Sequence, residues 1–427
     1  MRVYNRKLRD FIETTLATRP LVYLNGPRQC GKSTLVQNLG LKRETNYISF
    51  DSSLILAAAK ADPANFIQSL PGDALNIIDE VQMAPEIYPC LKISVDENRA
   101  RDKGKGLYLL TGSANLLALP RLAEALVGRM SVLTLLPFSS GEIRQSSCNF
   151  IENLFQDKLE YRRYTSWDLP DIIGNSTFPE PALNSDINRT QWFDDYLTTV
   201  VQRDVQSIAD IRNPVKIIML LSVLALRAGG LLNNSAVARE TGLDIKTYDR
   251  YKGAVTNTFL VFELPSWSKP NRLNKRFTKA SKLYFNDTNL LSYLMRRDIR
   301  DIYRNDRITM GRLFENFIAT EIMKNAASLT DASVSHFRTS DNKEVDFVIE
   351  RTNGDTIGIE VKLDGSPDAH DFYGLKLLKE AVGGHFKKGI VMYPGSEIVP
   401  WGEDLWAVPA CYLWPSVLKK NAKGDRL

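Results

Sequence analysis

Gly26-Pro27-Arg28-Gln29-Cys30-Gly31-Lys32-Ser33-Thr34 follows an apolar run, Leu21-Val22-Tyr23-Leu24, and opens a helical pattern over Ser33–Leu39. The spacing is GxxxxGK[ST], and it stands in the strand–loop–helix context that such a loop requires. Its glycines let backbone N–H groups turn inward around a phosphate, and the start of the helix adds a partial positive charge. Lys32 is placed to reach the β- and γ-phosphates of a nucleoside triphosphate. The Ser33 hydroxyl is placed to ligate Mg²⁺. The whole loop, Gly26 to Thr34, is the expected phosphate cradle.

Leu75-Asn76-Ile77-Ile78-Asp79-Glu80 is an apolar strand ending in two carboxylates. At that tip Asp79 can hold the metal and Glu80 can polarise an attacking water, a pairing suited to hydrolysis rather than storage. The next strand, ending at Thr111-Gly112-Ser113-Ala114-Asn115, offers Thr111, Ser113 or Asn115 as a γ-phosphate sensor. Arg129, after Gly128, is either a transition-state cation, in cis or from a neighbouring subunit, or a surface salt-bridge arginine. Asn274-Lys275-Arg276-Phe277 lacks the Asp of a guanine-reading NKxD motif, so ATP is the expected nucleotide.

Five apolar runs alternate with amphipathic stretches up to about residue 150: Leu21–Leu24, Tyr47–Phe50, Leu75–Ile78, Leu107–Leu110 and Val132–Leu136. That alternation predicts a parallel sheet covered on both faces. The chain has 427 residues, 44% hydrophobic and 25% charged, with a formal charge of +5. These values suit two or three globular domains and do not by themselves require nucleic acid. The charged N-terminus has no signal-peptide core, and Val215–Ala228, read as a buried helix, is too short to span a bilayer. Four scattered cysteines fit neither a disulfide framework nor a zinc site, so a cytoplasmic protein without a membrane segment is expected.

The expected domains are an ATPase unit at 1–145, a helical connector at 146–213, a winged helix-turn-helix at 214–290, and an α/β unit at 291–427. In the third of these, Ile217–Arg227, Asn234–Gly242 and a helix from Asp244 give helix-turn-helix spacing. Leu264 to Asn286 then carries Lys269, Arg272, Lys275, Arg276, Lys279 and Lys282 with no acidic residue. A basic wing contacting DNA and a solvated face on a protein-binding module both fit this pattern.

Farther on, Glu344-Val345-Asp346-Phe347 and Ile359-Glu360-Val361-Lys362 read as two strands joined by a turn at Asn353-Gly354. Alternation puts Glu360 and Lys362 on one face, where Asp346 can meet them. Glu315, on a preceding helix, adds a further acid. Asp346 and Glu360 bracketing a divalent metal, with Lys362 beside them, is the chemistry of phosphodiester cleavage; a structural hairpin with exposed charges is the plainer alternative.

The set of motifs resembles prokaryotic AAA-like P-loop ATPases with a C-terminal DUF4143 domain. It comprises the 26–34 loop, Asp79-Glu80-Val81-Gln82, Thr111-Gly112-Ser113, Gly128-Arg129 followed by Leu136-Pro137-Phe138-Ser139 and Glu142, Glu344–Phe347 and Ile359–Lys362. The resemblance implies an AAA+-like α/β core, a winged-helix segment and a module similar to PD-(D/E)xK nucleases. Val345 stands at the proline of that motif, and Cys30 where the resemblance places an aliphatic residue. Alkylation of Cys30 is therefore expected to block ATP binding. The expected function is an ATPase that couples its nucleotide state to a nucleic-acid-directed C-terminal module, with metal-dependent nuclease activity as that module's candidate chemistry; an oligomer is compatible with the sequence. The alternative is a signalling or scaffolding ATPase with a non-catalytic, protein-binding C-terminal module.

Overall fold

The computed structural model describes residues 4–146, 148–156, 159–164, 167–206, 211, 213–268 and 279–414. They fall into two compact units, each assembled from separated stretches of chain. The first comprises Met1–Pro137, Phe178–Leu220 and Thr241–Val261; the second Phe138–Thr177, Leu221–Glu240 and Phe262–Leu427.

The first unit is built on five strands: β1 (Leu21–Asn25), β2 (Thr45–Ser49), β3 (Leu75–Asp79), β4 (Tyr108–Gly112) and β5 (Met130–Thr134). All pairings are parallel, in the order β2-β3-β4-β1-β5. Successive side chains of a strand face opposite ways, and both faces here are apolar. Leu21, Tyr23 and Ile78 pack with Phe50, Tyr88 and Leu122 on one side. Val22, Leu24 and Ile77 pack with Ile12, Leu35 and Val36 on the other. Continuous apolar runs, rather than alternating ones, are what such double covering demands. The expected α/β class and parallel sheet are present, and the order brings the carboxyl ends of β1, β3 and β4 side by side.

In the second unit, strands β6 (Arg162–Arg163), β9 (Ala332–Arg338), β10 (Glu344–Arg351), β11 (Thr356–Val361), β12 (Phe386–Tyr393), β13 (Glu397–Gly402) and β14 (Leu405–Pro409) form a mixed sheet. Its order is β6-β13-β14-β12-β11-β10-β9. A smaller sheet pairs β7 (Val261–Leu264), which begins at the unit boundary, with β8 (Lys282–Phe285). The turn at Asn353-Gly354 joins antiparallel β10 and β11, with Gly354 at φ +89°. The helix Arg307–Ala326 is capped by Asp306, whose carboxylate accepts the Thr309 N–H at 3.0 Å. It places Glu315 in its middle.

The helix at Pro214–Ala225 buries Ile217, Leu220, Leu221 and Leu224 but leaves Val215, Ile218 and Met219 exposed. It is an apolar helix buried on one face only, not wholly buried as its composition indicates. The two helices that follow, Asn234–Glu240 and Ile245–Asn257, form where the spacing places them. They belong to different units, however, and the first helix crosses the boundary between them. Lys269, Arg272, Lys275 and Arg276 of the expected wing lie outside the described residues. Lys282 does not face solvent at all; it is 3% exposed.

Candidate functional site

At the carboxyl end of β1 the chain turns at Gly26, φ +151°, where a Cβ would stand 2.1 Å from the Leu135 carbonyl oxygen. Only glycine fits there. Gly31 adopts φ +96° and releases the chain into the helix Lys32–Gln37. Lys32 is buried, and its ammonium donates to the carbonyl oxygens of Gly26 and Pro27, both at 2.9 Å. It thus lies across its own loop. Gln29 takes φ 61°, a conformation costly for a non-glycine residue and typical of ligand clamps.

The Arg28 side chain is already occupied. Its guanidinium makes a bidentate pair with Asp204 at 2.9 and 2.7 Å, on the π-helical turn Val200–Val205. The pair ties the loop to a segment read from sequence as mere connector. Asp204 is a residue that sequence reasoning missed. An acid in an irregular helical stretch carries no motif, and only the fold brings it to the loop.

Asp79, at the tip of β3, is 2% exposed. It accepts a hydrogen bond from Tyr47 Oη at 2.7 Å and a short one from the Thr111 hydroxyl. Thr111 Oγ1 also accepts the Glu80 N–H at 3.3 Å. Of the three residues considered as sensors, Thr111 is therefore fastened to the Asp79 carboxylate. Ser113 instead accepts from Gln82 Nε2 at 3.4 Å, and that same amide donates a short bond to Glu80. Glu80 sits at φ 57°, another left-handed non-glycine residue. Burial raises its carboxyl above the ordinary range, while Lys32 and the Gln82 amide pull the other way. The result is a carboxylate held by an amide, beside the lysine of the loop, on the edge where β1, β3 and β4 end.

Ser33 and Asp79 provide two hard oxygen donors at this edge. They suit Mg²⁺, which is commonly held by one or two protein groups plus nucleotide phosphates and water. Among the described residues no group of three or more His, Cys, Asp or Glu gathers as a metal site.

Two expectations change. Arg129 lies one residue before β5, and Met130 pairs with Leu21 at the amino end of β1. That is the edge of the sheet opposite the phosphate loop. Its guanidinium forms a bidentate pair with Asp96, both contacts at 2.7 Å. It is the salt-bridge arginine of the two readings, and no transition-state cation in cis. Cys30 is 0% exposed, with its thiol donating to the Leu135 carbonyl at 3.2 Å. A side chain turned into the core is out of reach of an alkylating reagent in the folded protein.

The C-terminal acids do converge, but around a cation that sequence reasoning assigned elsewhere. Lys282 Nζ lies 2.7 Å from Asp346, 3.1 Å from Glu315 and 3.6 Å from Glu344. Tyr284 Oη donates to the same Glu315 oxygen at 2.7 Å. The other Asp346 oxygen accepts the Val361 N–H at 2.9 Å. Glu360 pairs through one oxygen with Lys362 at 2.9 Å, while its second oxygen has no partner among the described residues. Burial, with Asp346 nearby, pushes Glu315 up to about 7 and Glu360 up to about 8. Lys282 is driven the opposite way from what burial alone would do, upward, by the facing carboxylates.

These residues do not fit a divalent metal as they stand. An ammonium fills the space between Asp346 and Glu315. Asp346 and Glu360, the expected metal ligands, thus lie beside a bound ammonium rather than around an open space. Lys282 was missed because alternation along a short strand in a basic run gives no sign that one lysine turns inward.

Residues 18–144 match the AAA domain family, residues 166–320 a domain of unknown function termed DUF8612, and residues 310–413 the domain of unknown function DUF4143. An uncharacterized protein of Mycobacterium tuberculosis is 27% identical over 402 residues, covering 93% of this chain and 82% of its own. A Mycobacterium bovis protein matches to the same extent. Among solved structures, a Walker-type ATPase of Pyrococcus abyssi gives a TM-score of 0.42 at 15% identity, covering 68% of this chain and 96% of its own. Thermotoga maritima RuvB gives 0.30 at 16% identity, covering 61% and 90%. The chain thus joins a region that matches an AAA domain, built on a parallel sheet with a P-loop, to a C-terminal region that matches DUF4143.

Proposed function

We propose that the protein hydrolyses ATP with Mg²⁺ and that its nucleotide state governs a C-terminal half directed at nucleic acid. The observation that carries the first part is the buried Asp79–Glu80 tip beside Lys32. Ser33 and Asp79 would hold Mg²⁺, which supplies charge neutralisation on the β- and γ-phosphates. Lys32 exchanges the Gly26 and Pro27 carbonyls for phosphate oxygens. Glu80, held by Gln82 and raised by burial, orients the attacking water and takes its proton. Phosphate release that requires Mg²⁺ and stops with a chelator is the expected result; turnover indifferent to chelation contradicts it.

The second part is supported by the acid-free basic stretch from Leu264 to Asn286. For the C-terminal half the position of Lys282 favours a binding module over a metal-dependent nuclease, because an ammonium already neutralises the acids. Plasmid or oligonucleotide incubated with Mg²⁺ or Mn²⁺ should stay intact. Cleavage that disappears in Lys362→Ala would instead establish the nuclease. Retention of a protein, and of no nucleic acid, under ATP would favour a scaffolding role.

A further inference from the structure

The helix Arg189–Thr199 runs on into the π-helical turn Val200–Val205. Buried pairs begin at Trp192, Tyr196, Val200 and Asp204, with more exposed residues between them. That is a period of four. An α-helix closes a turn in about 3.6 residues, so such a stripe drifts by about 40° per repeat. The wider i→i+5 turn takes up the drift and keeps Asp204 on the face that Trp192 begins. The stripe is otherwise apolar or aromatic, and a carboxylate buried in it needs a partner.

That partner is Arg28, which gives Asp204 its Nε and one terminal nitrogen, Nη2. The other terminal nitrogen, Nη1, donates to no described residue, and the side chain is 24% exposed. One edge of the guanidinium is fixed and the opposite edge is open. The backbone beyond it is held as well: Cys30 turns its thiol to the Leu135 carbonyl, and Arg6 Nη1 donates to the Cys30 carbonyl at 3.0 Å. Gln29, between these anchors, keeps its left-handed φ of 61°. The Asp204 hydrogen bonds raise the guanidinium above its ordinary range against the cost of burial, and the Glu80 and Asp51 carboxylates add to the rise. Glu80 follows β3 and Asp51 follows β2, whereas Arg28 follows β1, and β4 lies between β1 and β3. A charge felt by those two acids reaches over the carboxyl end of β4, toward Glu80.

We propose that Arg28 is a cation supplied in cis to the terminal phosphate of ATP, and that Asp204 is its positioning residue. The proposal rests on the ATP-hydrolysis reading above and gives it a contact that Arg129, at the opposite edge of the sheet, does not supply. In the reaction the water oxygen bonds to the γ-phosphorus while the bond to the β–γ bridging oxygen breaks. That electron pair leaves on ADP, the water proton goes to Glu80, and Arg28 keeps its own protons. Charge developing on the phosphoryl oxygens meets a guanidinium that is already oriented. Asp204 also keeps Arg28 from collapsing onto Glu80, whose carboxylate must stay free for the water.

The test uses the full chain and two readouts. One is steady-state phosphate release; the other is equilibrium affinity for Mg²⁺–ADP with and without fluoroaluminate, which mimics the phosphoryl group in transfer. Arg28→Ala should lower kcat about 10²–10³-fold and weaken the fluoroaluminate complex by a similar factor, with ADP affinity within about threefold of wild type. Asp204→Asn should lose about tenfold in the same two quantities. Arg28→Ala combined with Asp204→Ala should be no slower than Arg28→Ala alone, because Asp204 acts through Arg28. Thermal unfolding is followed for each; should Arg28→Ala fail to fold, Arg28→Lys, which keeps a charge without the fork, is judged by the same selective loss. Unchanged kcat and fluoroaluminate affinity in folded Arg28 variants would make the pair a structural tie, overturning the proposal and leaving the hydrolysis reading intact. Equal losses for ADP with and without fluoroaluminate also overturn it, since the contact would then belong to the ground state. Losses that multiply in the double variant overturn the role of Asp204. A wild type that releases no phosphate overturns the hydrolysis reading and this inference together.

Discussion

Replacing Lys282 by methionine keeps most of the side chain's volume and removes its charge from among three carboxylates. In the native protein the ammonium stands 2.7 Å from Asp346, 3.1 Å from Glu315 and 3.6 Å from Glu344. Breaking a buried ion pair by deleting one partner costs about 3–5 kcal/mol, because the remaining charge is left without compensation. Glu344 is the most exposed of the three, so Asp346 and Glu315 should account for most of the loss. For a unit of roughly 200 residues this lowers the melting temperature by about 6–20 °C.

The pH dependence has a definite sign. Glu315 is raised to about 7 from 4.5, so the folded state holds more protons than the unfolded state between those values. Stability from this group therefore declines as pH rises through that window. The Lys282 ammonium is raised and stays charged throughout, so it supplies no pH dependence of its own there. Without it the carboxylates rise further, and the deficit of Lys282→Met should be largest at pH 8 and shrink at pH 5. Thermal unfolding, with hydrogen exchange read on peptides of β10 and β11, measures both. Millimolar Mn²⁺ should recover part of the loss in the variant and leave the wild type unchanged. Equal stability of variant and wild type at pH 8, or a deficit that ignores pH, would refute the reasoning.

Glu80→Gln should still bind ATP while slowing hydrolysis about 10²–10⁴-fold, measured by phosphate release beside equilibrium binding. In the native protein iodoacetamide should label exposed Cys148 and spare Cys30, with Cys30 reacting only after unfolding; peptide mapping by mass spectrometry reads the difference. Arg129→Ala should leave the turnover of dilute protein unchanged, since the guanidinium is engaged with Asp96 away from the phosphate loop. A large loss that appears only at concentrations where copies associate would show that a neighbouring copy uses it.

The first unit was legible because its chemistry is local. The loop from Gly26 to Thr34, the Asp79–Glu80 tip and the strand ending at Thr111 are each contiguous, and apolar runs mark the strands between them. What escaped was non-local. Asp204 reaches Arg28 across 176 positions, and Tyr47 reaches Asp79 from the neighbouring strand. In the second unit Asp346 and Glu360 stand on the paired strands β10 and β11, with Lys362 just past the end of β11. The motif spacing could not show that Lys282, distant in sequence and surrounded by other cations, turns inward between Asp346 and Glu315. Tyr284, two residues on, shares that inward face for the same period-2 reason. The helix Pro214–Ala225 reads as buried from composition alone, yet Val215 and Met219 are exposed. Composition does not say how many faces a helix packs.

The central claim is that Lys32 and the amides of the Gly26–Thr34 loop hold the phosphates of ATP. Titration calorimetry of the full chain with ATP and Mg²⁺, beside Lys32→Ala, addresses it directly. Saturable one-site binding that is lost in the variant, with thermal unfolding otherwise unchanged, is the predicted result; no binding by the wild type, or equal binding by both proteins, contradicts it.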